Sequence, residues 1–118
     1  MKRILIVSND VVVTCSLRGI FEQHADWTVC GSVLYRDAVN TAKQERPDLV
    51  VLNISVPVMS GLSATKKVRK GTPSVPLVVF CAITSSRLEE AAVEVGVKSV
   101  SSESDLVQSI QKLFSFAA

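Results

Sequence analysis

Five short apolar runs punctuate this chain, each followed by a longer stretch whose apolar residues recur with helical period. The runs are Arg3 to Val7, Thr28 to Ser32, Leu49 to Asn53, Leu77 to Cys81 and Val97 to Ser101. Three of them, Ile4-Leu5-Ile6-Val7, Leu49-Val50-Val51-Leu52 and Leu77-Val78-Val79-Phe80, are apolar at every position. Side chains alternate between the two faces of a strand, so a strand without polar alternation has both faces covered, as in a parallel sheet between helical layers.

The intervening stretches read as helices. Val13, Leu17, Ile20 and Phe21 fall at i, i+4, i+7 and i+8, and Leu106, Ile110, Leu113 and Phe114 repeat that spacing. Leu88, Ala91, Ala92 and Val95 follow a close variant, and the segments Arg36 to Glu45 and Ser60 to Lys70 are weaker amphipaths. Gly71 and Gly96 stand where C-terminal helix stops are expected. Ser102 or Ser104 is expected to cap the last helix, with Glu103 or Asp105 in its first turn, and Asp10 or Asn9 to cap the first.

Five β-α units in succession predict an α/β fold: a three-layer, doubly wound (βα)5 sandwich with a five-stranded parallel sheet in the order 2-1-3-4-5. The topological switch point of that order lies between strands 1 and 3. Ligands in such sheets bind outside the carboxyl ends of the strands, so the candidate site is Ser8-Asn9-Asp10, Asn53-Ile54-Ser55 and the ends of strands 4 and 5.

Composition excludes several function classes. The chain has 118 residues, 47% hydrophobic and 20% charged, which suits one globular domain over residues 1–118. With 13 basic and 11 acidic residues the formal charge is +2, too balanced for binding nucleic acid by phosphate neutralisation. Cys15, Cys30 and Cys81 form no CxxC, so neither a zinc site nor a disulfide framework is expected, and a reducing, cytoplasmic setting is the simpler reading. No stretch approaches the roughly 20 apolar residues of a membrane span. No GxGxxG or Walker motif is present, and Ser8-Asn9-Asp10-Val11 holds no glycine to admit a phosphate to the backbone, which disfavours a small-ligand or flavin protein of the same architecture.

Lys2-Arg3-Ile4-Leu5-Ile6-Val7, Arg46-Pro47-Asp48-Leu49-Val50-Val51-Leu52, Pro57-Val58-Met59-Ser60-Gly61-Leu62 and Glu94-Val95-Gly96-Val97-Lys98 together resemble the receiver domain of two-component response regulators. The similarity runs from Lys2 to about Phe114, and the Pro-x-Met-x-Gly turn after strand 3 is its most specific piece. The resemblance implies a flavodoxin-like fold, a bacterial source and a place in phosphorelay signalling. In texture the sequence is most similar to receivers that precede a C-terminal helix-turn-helix, which leaves open that it is the regulatory half of a transcription factor.

Receivers of this kind accept a phosphoryl group on an aspartate ending strand 3. An acidic pair after strand 1 helps hold Mg²⁺, and a Ser or Thr ending strand 4 and a Lys ending strand 5 contact the phosphoryl oxygens. The matching positions here are Asn53 for the phosphoacceptor, Ser8 and Asn9 for the acidic pair, Cys81 for the hydroxyl and Glu103 for the lysine. A neutral amide is a very poor nucleophile, and Mg²⁺ favours carboxylate oxygens. A thiol is a weaker donor than a hydroxyl, and a carboxylate repels a phosphoryl group by roughly 4 kcal/mol per pair of unit charges about 4 Å apart at an effective dielectric near 20. The expectation is a pseudo-receiver with no catalytic residue, no cofactor and no metal.

Bland readings stand beside these. Asn53 reads first as a strand-end amide bonded to neighbouring backbone, and second as a residue that freezes one conformation. Cys81 reads as a small buried hydrophobe, His24 as a cation closing the first helix, and Trp27 as packing at the start of strand 2. Lys66-Lys67-Val68-Arg69-Lys70 reads as a solvated helix end. The expected task is binding a protein partner, or self-association, through the fourth helical segment, strand 5 and the last helix. There Val100 takes the place of a switching aromatic as an interface candidate, with no nucleic acid and no membrane engaged by this domain.

Overall fold

In the computed structural model, residues 1–55, 57–81, 90, 91, 94 and 98–116 are described. Strands β1 (Lys2–Val7), β2 (Trp27–Val33), β3 (Leu49–Asn53), β4 (Leu77–Phe80) and β5 (Lys98–Val100) pair in parallel in one sheet, in the order β2-β1-β3-β4-β5. Helices α1 (Val11–Glu22), α2 (Ala38–Glu45), α3 (Val58–Gly71) and a C-terminal helix (Glu103–Phe116) accompany it. Most of the fourth helical segment, including Leu88 and Val95, and Gly96 after it lie outside the described residues.

The fully apolar strands serve two cores. Leu5, Val7, Val50, Leu52 and Val79 pack with Ala38 and Ala42 of α2 and Ala64 and Val68 of α3. Their chain neighbours Ile4, Ile6, Leu49, Val51 and Val78 pack with Leu17 and Phe21 of α1 and Leu106 and Ile110 of the C-terminal helix. Each such side chain contributes about 1.5–3 kcal/mol by leaving water, and the strict alternation fixes the register, because a one-residue slip would exchange the two cores. Trp27 closes the second core at its amino end, edge-on to Phe21 and Phe114, and His24 stacks on it at 4.1 Å. His24 is therefore a packing partner of Trp27, one residue beyond the α1 cap at Gln23.

Three helix boundaries differ from expectation. A single 3-10 turn, Tyr35–Asp37, precedes α2, closed by Asp37 N–H on Leu34 C=O at 3.0 Å, so the helix proper begins at Ala38. Helix α3 begins two residues early, at Val58, because Val58 packs against the first core and Pro57 presets the backbone before it. Gly71 is the last residue of α3 and not a left-handed stop beyond it; Thr72 is the cap. Its missing side chain serves packing instead, since a Cβ there would lie 2.7 Å from Val39 Cγ1.

The amino end of the sheet is tied by Arg3. Its guanidinium reaches the Glu45 carbonyl and carboxylate, the latter at 3.1 Å, while its backbone N–H donates to the Asp48 carboxylate at 2.8 Å. Arg46, in the left-handed region at φ 48°, caps α2 between them.

Candidate functional site

Parallel register brings the carboxyl ends of the strands level. Val7 pairs with Val33 on one side and Leu52 on the other, and Asn53 pairs with Phe80. The residues next in line, Ser8 after β1, Asn53 ending β3 and Cys81 after β4, therefore sit along one edge. All three are buried, at 3%, 3% and 2% exposure.

Ser8, Asn9 and Asn53 are brought together in one hydrogen-bonded network. The Asn53 side-chain amide donates to Ser8 Oγ at 3.2 Å, and the Asp10 backbone N–H donates to the same oxygen at 3.0 Å. The Ser8 hydroxyl in turn donates to the Asp10 carbonyl at 3.2 Å. One donor and two lone pairs are all that a serine hydroxyl has, so Ser8 is fully satisfied by neutral neighbours. The partner of the Asn53 amide is thus a side chain of the adjacent strand's loop, where neighbouring backbone was expected.

Asp10, the carboxylate nearest this network in the chain, is the N-cap of α1. Its Oδ1 accepts from Val12 N–H at 2.9 Å and Val13 N–H at 3.3 Å. The expected choice between Asp10 and Asn9 falls to Asp10, because Asn9 is engaged elsewhere.

Sequence reasoning passed over Tyr35. The Asn9 side-chain oxygen accepts from the Tyr35 backbone N–H at 2.9 Å, and the Tyr35 hydroxyl donates to the Asn53 carbonyl at 2.5 Å. One residue of the 3-10 turn therefore binds both loops across the switch point. Burial raises the Tyr35 phenol above its ordinary value, partly opposed by hydrogen bonding with Ser55. A lone tyrosine in a loop carries no periodicity, so only the β2–α2 connection's position reveals it.

Cys81 lies at the next strand boundary, its backbone N–H donating to Val100 C=O at 3.0 Å. Its side chain belongs to the first core. Glu103 is exposed, as the first residue of the C-terminal helix, whose start is capped by Ser102 Oγ accepting from Asp105 N–H at 3.2 Å. Val100 is 9% exposed and packs in the second core with Leu106 and Ile110, so its side chain is core and not a solvent-facing contact. The residues that reach solvent nearby are Lys98, which begins β5, and Ser101, which follows it.

A family model, the response regulator receiver domain, matches residues 4–111. The chain belongs to the receiver domain family. Among curated relatives, the chemotaxis protein CheY of Thermotoga maritima is 31% identical over 98 residues, covering 82% of this chain and 81% of that protein. The chain spans about a quarter of the length of the protein-glutamate methylesterases it matches; in that of Methanosarcina acetivorans, 31% identity over 90 residues covers 75% of this chain and 26% of the relative. A two-component response regulator of the LuxR family from Aurantimonas superposes with a TM-score of 0.84 at 23% identity, over 98% of this chain and 86% of that one. A chain of the CheX-CheY-BeF3-Mg+2 complex from Borrelia burgdorferi superposes with a TM-score of 0.83 at 18% identity, over 96% of this chain and 89% of that one. At these identities the structural likenesses carry the fold alone. A receiver domain is a regulatory module, and among the described residues no helix is long and apolar enough to cross a membrane.

Proposed function

We propose that this receiver domain takes up no phosphoryl group and acts as a phosphorylation-independent protein-interaction module in two-component signalling. The observation that carries this reading is the closed neutral network of Ser8, Asn9, Asn53 and Tyr35 at the switch point. Asn53 offers no anionic oxygen to attack phosphorus and could form no acyl phosphate.

The residues present do not fit Mg²⁺. Two amides and a hydroxyl offer it no charge to offset its dehydration, and the Asp10 carboxylate is already bonded to two backbone amides. Rebuilding a metal site from Asp10 would uncap α1, a loss of about 1 kcal/mol before any ion is held. Cys81, buried, and Glu103, exposed on a helix start, supply neither the hydroxyl nor the cation that the family places at those positions.

The domain, read as one unit over residues 1–118, binds its partner or a second copy through the face built from β5 and the C-terminal helix. Lys98, Ser101 and the exposed side of that helix are its solvent contacts, with Val100 as support beneath. It works in the cytoplasm and contacts neither nucleic acid nor membrane itself. An effector domain joined to it, a helix-turn-helix in a transcription factor among them, would take its input from this face, and the full reading frame decides that extension.

The test is to incubate the chain with Mg²⁺ and acetyl phosphate beside the Thermotoga maritima CheY relative and weigh both intact. No gain of mass by this chain is expected. Gain of a phosphoryl group at residue 8, 9, 53 or 81 contradicts the reading.

A further inference from the structure

On the other side of the fold from the C-terminal helix, α2 and α3 pack side by side. Gly71, the last residue of α3, meets α2 along its length: a Cβ there would stand 2.7 Å from Val39 Cγ1 and 3.7 Å from Lys43 Cε. Between the C-terminal ends of these helices and the turn that follows runs an open groove of about 380 Å³. Ala42, Pro47 and Val75, buried or half-buried, form its apolar floor, and the exposed Lys43 and Arg46 stand at its rim. Lys67 lies one turn before Gly71 on the same α3 face and Lys70 directly precedes it, both exposed.

The acids that could neutralise this cluster face elsewhere. Glu45 pairs with Arg3 at 3.1 Å, and the Asp48 carboxylate accepts the Arg3 backbone N–H. Among the described residues, none of Lys43, Arg46, Lys67 and Lys70 is in an ion pair. Cations near a helix C-terminus are favourable for the helix, but the two at the groove's rim and the two on the adjoining end of α3 repel one another.

We propose that this groove binds an acidic segment of a partner protein, its carboxylates paired with Lys43, Arg46, Lys67 and Lys70 and a small apolar side chain seated on Ala42, Pro47 and Val75. The sign of the cluster selects an anion, and the apolar floor selects a polypeptide. A duplex would meet a chain of only +2 net charge. A membrane surface would require apolar side chains to insert, and the exposed large ones, Met1, Val11, Val12, Leu34 and Met59, are not among the groove's residues. The proposal goes beyond the phosphorylation-independent reading and holds whichever way position 53 behaves.

The experiment titrates the whole chain into a fluorescein-labelled peptide of alternating glutamate and alanine and follows anisotropy at two salt concentrations. Saturable binding that weakens with salt is expected, reduced about tenfold or more by Lys43→Ala with Arg46→Ala. Arg36→Glu, an exposed site in the 3-10 turn before α2 with the same change in net charge, is expected to leave binding unaltered. Thermal melts confirm folding, and Lys67→Ala with Lys70→Ala replaces the first pair if that variant does not fold. No binding by the wild-type chain, equal weakening by Arg36→Glu, or tighter binding of duplex DNA or phosphatidylserine vesicles than of the peptide overturns the proposal.

Discussion

At the carboxyl end of the sheet, Asn53 is bonded to Ser8 and to Tyr35, and Tyr35 in turn to Asn9, with Ser8 and Asn53 each buried at 3%. At the amino end, Arg3 gathers the nearby acids, and among the described residues the exposed Lys43, Arg46, Lys67 and Lys70 are in no ion pair. The difference follows from what each group costs to bury. Neutral hydrogen-bonding groups can be taken out of water when every donor and acceptor is matched, whereas unmatched charges must stay wet. One end of the fold is therefore sealed, and the other keeps an exposed face for recognition.

The contrast can be broken most severely through α3, which has a glycine toward each end. A Cβ on Gly61 would lie 2.8 Å from both Cγ atoms of Ile54, directly after Asn53, while one on Gly71 would meet Val39 Cγ1 at the last residue of the helix. Gly61→Ala is expected to destabilise by up to about 3 kcal/mol in urea melts. Gly71→Ala is expected to cost less, because the better helix propensity of alanine returns about 1 kcal/mol.

Asn53→Asp comes next, at about 2 kcal/mol near neutral pH, because it places a carboxylate in a buried network built for neutral groups. Burial raises the folded-state pKa of that carboxyl above its unfolded value of about 3.9. The folded state then keeps the proton longer than the unfolded chain. The variant is fully stable relative to wild type only at acid pH and loses stability as pH rises through the folded pKa. Urea melts from acid to neutral pH measure this, and the same variant is expected to remain unphosphorylated by acetyl phosphate.

Asp10→Ala removes the α1 cap and is expected to cost about 1 kcal/mol, with faster amide exchange confined to the first turn. The smallest effect is expected from Tyr35→Phe, about 0.5–1.5 kcal/mol for the lost bond to Asn53 C=O. The phenol is held above its ordinary value of 10.0 chiefly by burial. Its contribution is complete below the unfolded pKa and is lost as pH rises through the folded one, so wild type weakens at high alkaline pH more steeply than Tyr35→Phe.

Much of this was legible in the sequence. Leu49 to Asn53 and Leu77 to Phe80 announced strands covered on both faces, and the strand order followed from five successive β-α units. Ser8 and Asn53 fell at the switch point for the same reason. Tyr35 was hidden because its two bonds, to Asn9 Oδ1 and Asn53 C=O, depend on where the β2–α2 connection crosses the sheet. The burial of Val100 was not legible, because a three-residue strand has no alternation to say which way its side chains face. Gly71 followed the sequence rule for a stop, yet its position is explained by Val39 of another helix, which no local pattern contains.

The most direct measurement is a titration of the isotope-labelled chain with Mg²⁺ and then beryllofluoride, following the amide signals of Ser8, Asn9, Asn53 and Cys81. The account predicts that these signals stay in place at millimolar concentrations of both. Saturable shifts at those residues, with Mg²⁺ alone or with the phosphoryl mimic, would contradict it.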